Sequence, residues 1–338
     1  MASQPTASAR AHSNIALAKY WGKRDSPYNL PAVGSISVTL EALYTETTVR
    51  FDDGLSSDRL TLDDRRLIDR KQNGELHRVS AFLDLIRQQA GIATRADVVT
   101  RNNFPTRAGL ASSASGFAAL AMAATAAAGL EMPPRDLSRL ARRGSGSAAR
   151  SIYGGFVEMH AGQATDGRDA YAEPLAAADG WPLTVLVAVT DHGEKSVGST
   201  AAMLRTAQSS PYYGAWVASS TGDLDALRAA VREHDFVSLS EIAEHSCLKM
   251  HGLMLSARPG ILYWNAITVA VMHAVRALRE GGVRVFFTID AGPQVKAVCE
   301  PDDAVVVADS LESIPGVQKV LRSGLGPDAH LLETRHCK

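Results

Sequence analysis

The sequence holds only three cysteines, Cys247, Cys299 and Cys337, odd in number and far apart. Neither zinc-ligand spacing nor a disulfide framework can be built from them, which predicts a reducing, cytoplasmic setting. An excess of either charge is also missing: 35 Lys and Arg stand against 36 Asp and Glu, a net charge of −1. Bulk attraction to nucleic acid or to an anionic membrane rests on a large basic excess, so both partner classes are set aside. Any anion must be held by local clusters. Met1 to Arg10 has no apolar signal-peptide core. The uncharged run Ala108 to Leu130 is 23 residues long, enough to span a bilayer, yet it is built of Ala, Ser and Gly, which gain little from lipid. A buried helix behind a glycine-rich turn is expected there instead. The ten His show no pair at metal-ligand spacing, and Walker, Rossmann and Gly-x-Ser-x-Gly signatures are all missing.

What is present is an ordinary globular composition, 46% apolar and 21% charged, on a chain of 338 residues. That length predicts two domains or one large one. Residues 13–20 read as a short helical or turn segment. Ser35 to Leu43 alternates as a strand, with Thr47 to Phe51 as its partner strand. Helical spacing covers Val79 to Gln89, and Val98 to Thr100 is a short strand. Nine Ala in the 17 residues from Ser112 to Ala128 make a helix starting near Ser112 the strongest local signal. Leu137 to Arg143 is a short helix stopped by Gly144, and Tyr153 to Val157 a turn entering a strand. Buried-type strands follow at Thr184–Val189 and Val285–Ile289, with Ala304–Ala308 as a further strand. Helical patterns occupy roughly 199–208, 223–232, 236–256 and 263–280. Mixed elements in both halves imply an α+β fold, divided near 181 into parts 1–181 and 182–338.

Four stretches carry chemistry. In Pro105 to Ser113, small residues would let backbone N–H groups and the following helix N-terminus approach phosphate, with Ser112 and Ser113 as hydroxyl or metal donors. A serine-capped turn before a core helix explains the same residues equally well. In Asn14 to Asp25, Lys19 and Lys23 are four apart; on a helical turn they would share one side and suit an anion, or form a solvated basic face. In Arg142 to Arg150, Gly-Ser-Gly-Ser offers donors, and Arg150 can grip a carboxylate or phosphate bidentately. Asp290 follows the apolar strand VFFTI, where a partly desolvated carboxylate can act as a general base or simply cap its turn. The segments 10–25, 101–112 and 139–151 hold ten Lys or Arg and one acid, Asp25. The neutral total therefore hides a strongly basic set.

Together NIALAKYWGKRD, NNFPTRAGLASSASG, GSGSAARSIYGGFVE and DAGP, supported by SISVTL and SVGSTAAM, resemble the diphosphomevalonate decarboxylases of the galactokinase–homoserine kinase–mevalonate kinase–phosphomevalonate kinase (GHMP) superfamily. The resemblance runs from about residue 8 to about 296. It implies a GHMP-kinase-like α+β fold, with a ribosomal-S5-like N-terminal domain and a ferredoxin-like C-terminal domain. The activity implied is ATP- and Mg2+-dependent decarboxylation of mevalonate 5-diphosphate by a homodimer. Matched motif by motif, Asp290 resembles the base for the tertiary hydroxyl, Arg150 the carboxylate binder, and Lys19 the lysine beside the reacting hydroxyl and phosphate. Tyr20, Lys23, Arg78, Ser145, Ser147 and Thr200 match substrate contacts. Ala108, Gly109, Leu110, Ala111, Ser112 and Ser113 match the ATP-phosphate site, with Ser112 on the metal. Arg107, Val33-Gly34 and Gln294 depart from the pattern. Decarboxylation of the 5-monophosphate, phosphorylation of the 3-hydroxyl alone, and a non-enzymatic binding module stand as alternatives.

Overall fold

The computed structural model describes residues 6–68, 74–104, 112–191, 193 and 195–333. The first half runs β1 (Thr6–Ala18), β2 (Lys23–Asp25), β3 (Leu30–Pro31), β4 (Ser35–Phe51), β5 (Arg59–Leu62), β6 (Arg65–Arg66), α1 (Glu75–Ala90), β7 (Ala96–Asn102), α2 (Ser112–Ala127) and α3 (Pro134–Gly144). A 3-10 turn, Gly146–Ile152, then leads to β8 (Phe156–Met159) and β9 (Ala172–Ala176). The second half runs β10 (Thr184–Val189), α4 (Ser199–Ser209), α5 (Tyr213–Glu233), α6 (Phe236–Leu255), α7 (Ala266–Glu280), β11 (Val285–Ile289), β12 (Val295–Cys299), α8 (Ala304–Glu312), β13 (Lys319–Ser323) and β14 (His330–Leu332).

Among the described residues, eight strands form the first sheet, with the path β14-β1-β4-β7-β5-β6. β4 is its spine. One edge pairs with β1 from Arg50 to Ile36, while the other edge forks, giving 45–51 to β7 and 35–38 to β8. The expected pair of strands at 35–43 and 47–51 is thus one continuous strand. Residues 13–18 belong to β1, not to a helical turn. β1 is buried on both faces from Ala11 to Ala18, so it loses the alternation that marks a half-buried strand.

α1 and α2 cover this sheet. Phe82, Leu83 and Ile86 of α1 meet the alanine face of α2, where Phe82 and Phe117 pack edge-on at 5.4 Å. Alanines surround most of α2, and their short side chains let the helix lie close against the sheet. Among the described residues no helix is long and apolar enough to cross a membrane.

The second sheet has the order β11-β12-β10-β13, antiparallel throughout. With α7 before β11 and α8 before β13, this is the ferredoxin-like βαββαβ arrangement, into which α4 to α6 are inserted. Residues 304–308, expected as a strand, are the start of α8. Ala304, Val307 and Leu311 are buried while Val305 and Val306 are exposed, so a helical period overrides the strand preference of three valines. One apolar layer joins the halves: Ile15, Leu17, Val38 and Phe156 of the first sheet meet Val185, Val187, Phe286 and Val298 of the second. After β13 the chain returns to pair β14 with β1.

β11 lies at the edge of its sheet, and α6 closes that edge with side chains. Glu244 Oε1 accepts the Phe287 N–H at 3.2 Å, and Cys247 Sγ accepts the Ile289 N–H at 3.2 Å. The Cys247 thiol donates to the Ile289 carbonyl, and His251 Nε2 lies 3.3 Å from the same oxygen.

Candidate active site

A cleft of about 1110 Å³ opens where the two halves meet. Tyr20, Lys23, Arg78, Ser112, Ser113, Ser145, Ser147, Arg150, Thr200 and Asp290 all line it. Lys19 lies just behind the wall, with its side chain almost fully buried. Of the expected positions, Arg107, Ala108, Gly109, Leu110 and Ala111 lie outside the described residues.

Lys19 follows the last residue of β1, and its Nζ donates to Asp290 Oδ1 at 2.7 Å behind the cleft wall. The Lys19 N–H donates to Ser246 Oγ of α6, and Thr288 Oγ1 donates to the Ala16 carbonyl, so β1, α6 and β11 are tied where the pair forms. Lys19 and Lys23 do not share a helical face; Lys23 begins β2 and donates to Asn29 Oδ1. Burial alone pushes the Asp290 carboxyl up, but Lys19, Lys296 and Arg150 outweigh it and hold the group below its ordinary value. A quarter of the side chain stays exposed to the cleft. Asp290 is therefore an ionised acceptor that faces the cleft.

Arg150, in the 3-10 turn, is fully enclosed. Its Nε donates to Ser37 Oγ at 2.9 Å, Nη1 to Ser35 Oγ at 2.6 Å, and Nη2 to Asn14 Oδ1 at 3.0 Å. These acceptors are neutral, so among the described residues no carboxylate is hydrogen-bonded to the guanidinium, and Asp290 acts on it only through space. A guanidinium has five N–H groups, which leaves one on each Nη nitrogen for a ligand. Burial lowers the group to about 10, so it stays charged at neutral pH. Asn14 is itself fixed, donating to Ser147 O and Ser151 Oγ.

The opposite wall is cationic and rich in hydroxyls. Burial, then Arg78, lowers the Lys23 ammonium below its ordinary value, and burial lowers Arg78. Ser113, Ser145 and Ser147 form a chain of hydroxyls 3.3–3.4 Å apart. The Tyr20 hydroxyl is buried with no partner among the described residues, and burial raises it to about 12. Gly146 makes room for it: a Cβ there would stand 2.2 Å from the Tyr20 oxygen. Gly146→Ala should therefore push Tyr20 into the cleft and raise the Michaelis constant for a phosphorylated substrate about tenfold. Gly252→Ala, with nothing within 4 Å of its Cβ, is the matched control. Equal constants for the two variants in steady-state kinetics would refute this role for the glycine.

Lys195, Lys296 and the helix end that carries the expected Thr200 also belong to the site, and the two lysines were not read from the sequence. Lys195 lines the cleft and donates to Ser199 Oγ at 2.9 Å and Ala291 O at 3.3 Å; burial lowers it while Asp290 opposes the shift. Gly198 to Ala201 present the N-terminus of α4, its positive end, to the same space. Lys296 lies 3.8 Å from Asp290 Oδ2. Ser35 and Ser37 had a signal, since a strand alternating Ser with Ile and Val puts both hydroxyls on one face. Lys195 stands in a loop with no pattern. A second, mostly apolar pocket of about 110 Å³ adjoins the cleft through Glu75, Arg78, Ser112 and Ser113.

The fold agrees with the comparisons. Residues 11–172 match the family model for the diphosphomevalonate decarboxylase-like N-terminal domain, and residues 185–323 that for the mevalonate 5-diphosphate decarboxylase C-terminal domain. The chain belongs to the diphosphomevalonate decarboxylase family. A relative in the family, diphosphomevalonate decarboxylase of Ganoderma lucidum, is 37% identical over 306 residues, 85% of this chain and 76% of that protein. The mevalonate diphosphate decarboxylase of Staphylococcus aureus superposes with a TM-score of 0.91 at 38% identity, covering 97% of this chain and 98% of that one. A second solved structure, MDDEF in complex with MVAPP, AMPPCP and magnesium, superposes with a TM-score of 0.89 at 42% identity, covering 97% of this chain and 99% of that one.

Two of the departures from the family pattern are matters of packing. Gln294 is buried, and its amide serves the backbone: Oε1 accepts the Thr190 N–H and Nε2 donates to Asp191 O. Val33 packs in an apolar cluster with Trp21 and Trp216.

Proposed function

We propose that this chain catalyses ATP-dependent decarboxylation of mevalonate 5-diphosphate, giving isopentenyl diphosphate, ADP, phosphate and carbon dioxide. The observation that carries this is the meeting, in one cleft, of an ionised Asp290 on Lys19 with an Arg150 whose hydrogen-bond acceptors among the described residues are all neutral. A kinase that only phosphorylates the hydroxyl needs the base, and a decarboxylase needs in addition a carboxylate held in one orientation, which a framed guanidinium provides.

The roles follow from charge and position. Arg150 holds the substrate carboxylate with its two remaining donors. Tyr20, Lys23, Arg78, Ser145, Ser147 and Thr200 hold the 5-diphosphate. Asp290 takes the proton of the tertiary hydroxyl as that oxygen attacks the γ-phosphorus of ATP, and ADP leaves. The new phosphate ester then departs with its bonding electrons. The carbon–carboxylate bond breaks, its electron pair becomes the double bond, and carbon dioxide is released. Lys19, Lys195 and the α4 N-terminus face the transferring phosphoryl group, whose charge must be balanced in a partly dry cleft.

Ser112 and Ser113, with residues 108–111, bind the ATP phosphates, and the small apolar pocket takes the base. Magnesium fits the donors present. Ser112, Ser113 and Glu75 offer hard oxygens, and among the described residues no trio of His, Cys, Asp or Glu forms a closed metal site. The ion would therefore share phosphate and water oxygens, as Mg2+ prefers, with Ser112 as its protein ligand. It supplies charge neutralisation on the phosphates. The reading includes a division near residue 181, a cytoplasmic setting and a homodimer. Its support is the buried, unpaired Cys247 and Cys299 and the family resemblance.

The deciding assay measures ATP-dependent carbon dioxide release from mevalonate 5-phosphate and 5-diphosphate side by side. The diphosphate is expected to be turned over at least about tenfold more efficiently, because one more phosphate meets the Lys23–Arg78 wall. Turnover of neither compound sinks the proposal. ADP formation without carbon dioxide would make the protein a 3-kinase, and binding without ATP consumption a binding module.

A further inference from the structure

β12 reads VKAVC, and all five residues are buried. Val295, Ala297 and Cys299 face the layer that holds α7 and α8, and Val298 faces the layer shared with the first sheet. Alternation puts Lys296 on the Val298 face, in line with Thr288 of β11 and Val187 of β10. Packing alone calls for an apolar residue there. A buried ammonium costs several kcal/mol unless it is paired, so its presence needs a reason. The reason lies two residues beyond Thr288 on the same face. Lys296 Nζ is 3.8 Å from Asp290 Oδ2, while Oδ1 receives Lys19 at 2.7 Å. Each oxygen of the carboxylate thus has its own lysine.

We propose that Lys296 is a positioning residue for Asp290, holding its second oxygen from behind so that the carboxylate stays ionised and fixed when Lys19 turns to the phosphoryl group. This rests on the reading of Asp290 as the base. The groups that face Asp290 are Lys19 from β1, Arg150 from the 3-10 turn, Lys195 from the segment before α4, Lys296 from β12, and Cys247 and His251 from α6. Burial keeps the Cys247 thiol protonated and drops His251 to about 3, so neither titrates between pH 5 and 7. Burial also lowers Lys296, to about 8, which leaves it charged at neutral pH. Removing its charge takes away one of the influences that hold Asp290 down. The carboxyl must then titrate at higher pH, and activity on the acid side must be lost sooner.

The experiment is carbon-13 NMR titration of the Asp290 carboxyl in the unliganded full chain, assigned by its absence from Asp290→Asn. In Lys296→Met the midpoint should rise by about one pH unit, and in Lys296→Arg it should stay within a few tenths of wild type. The acid limb of kcat/KM should move with it, and kcat should fall by about tenfold with KM little changed. An unmoved midpoint in a folded Lys296→Met protein overturns the proposal, as does an arginine variant that behaves like methionine. Should the methionine variant not fold, Lys296→Gln carries the same test. The titration needs no turnover, so a wild type that decarboxylates nothing would defeat the proposed function and leave this inference to be judged by itself.

Discussion

Asp290→Asn should lose about three orders of magnitude in turnover while ATP binds within about threefold of wild type. The amide matches the carboxylate in size and can still accept one hydrogen bond, so the cleft keeps its shape. What it cannot do is take a proton from a tertiary alcohol at neutral pH. Its charge also vanishes between Lys19 and Lys296, both buried. Two facing ammonium groups then repel, and the midpoint of thermal unfolding should drop by several degrees. Single-turnover ADP formation and equilibrium nucleotide binding, measured on the same preparation, separate these effects. Turnover within tenfold of wild type would remove Asp290 from the base role.

Arg150→Lys should lower kcat/KM for the phosphorylated substrate about 100- to 1000-fold, roughly 3–4 kcal/mol. The change keeps the charge, so a purely electrostatic role would survive it. The structure assigns more than charge to this position. Ser35, Ser37 and Asn14 each take a guanidinium N–H and so fix the plane in which the two remaining donors lie. A lysine has three donors on one atom and cannot satisfy three fixed acceptors and two carboxylate oxygens. The acceptors would be left wanting in a dry pocket, and the carboxylate would be held in no single orientation. Ser35→Ala should cost about fivefold, since one bond of the frame is lost and the plane is retained by the others. Steady-state kinetics of the three proteins test the order; a lysine variant near wild type would show that charge suffices.

Several of these side chains could be found in the sequence because their chemistry is written locally. Asp290 follows an apolar run, Arg150 follows Gly-Ser-Gly-Ser, and α2 announces itself by alanine. Their supports could not be found in that way. Asn14 and Arg150 are 136 positions apart, and Lys19 and Asp290 are 271 apart. Such meetings exist only once two sheets have packed. The elements that differ from expectation do so where local pattern is an incomplete guide to burial and pairing. β1 is covered on both faces and lost its alternation, β4 runs straight through a presumed turn, and the valines of α8 copied a strand. Lys296 escaped for the opposite reason. A single lysine within an apolar pentapeptide looks like a solvent-facing residue until the strand is seen to have no solvent face.

The way α6 closes β11 bears on strand pairing between chains. An edge strand with free N–H and carbonyl groups is a template on which a strand of another chain can grow. Here the strand that leads to Asp290 gives its outer hydrogen bonds to Glu244, Cys247 and His251, side chains that occupy the edge without prolonging the sheet. The cap ends at Ile289, one residue before Asp290. The same helix that blocks strand-to-strand pairing at this edge therefore leaves the carboxylate open to the cleft, and the edge is capped without closing the site.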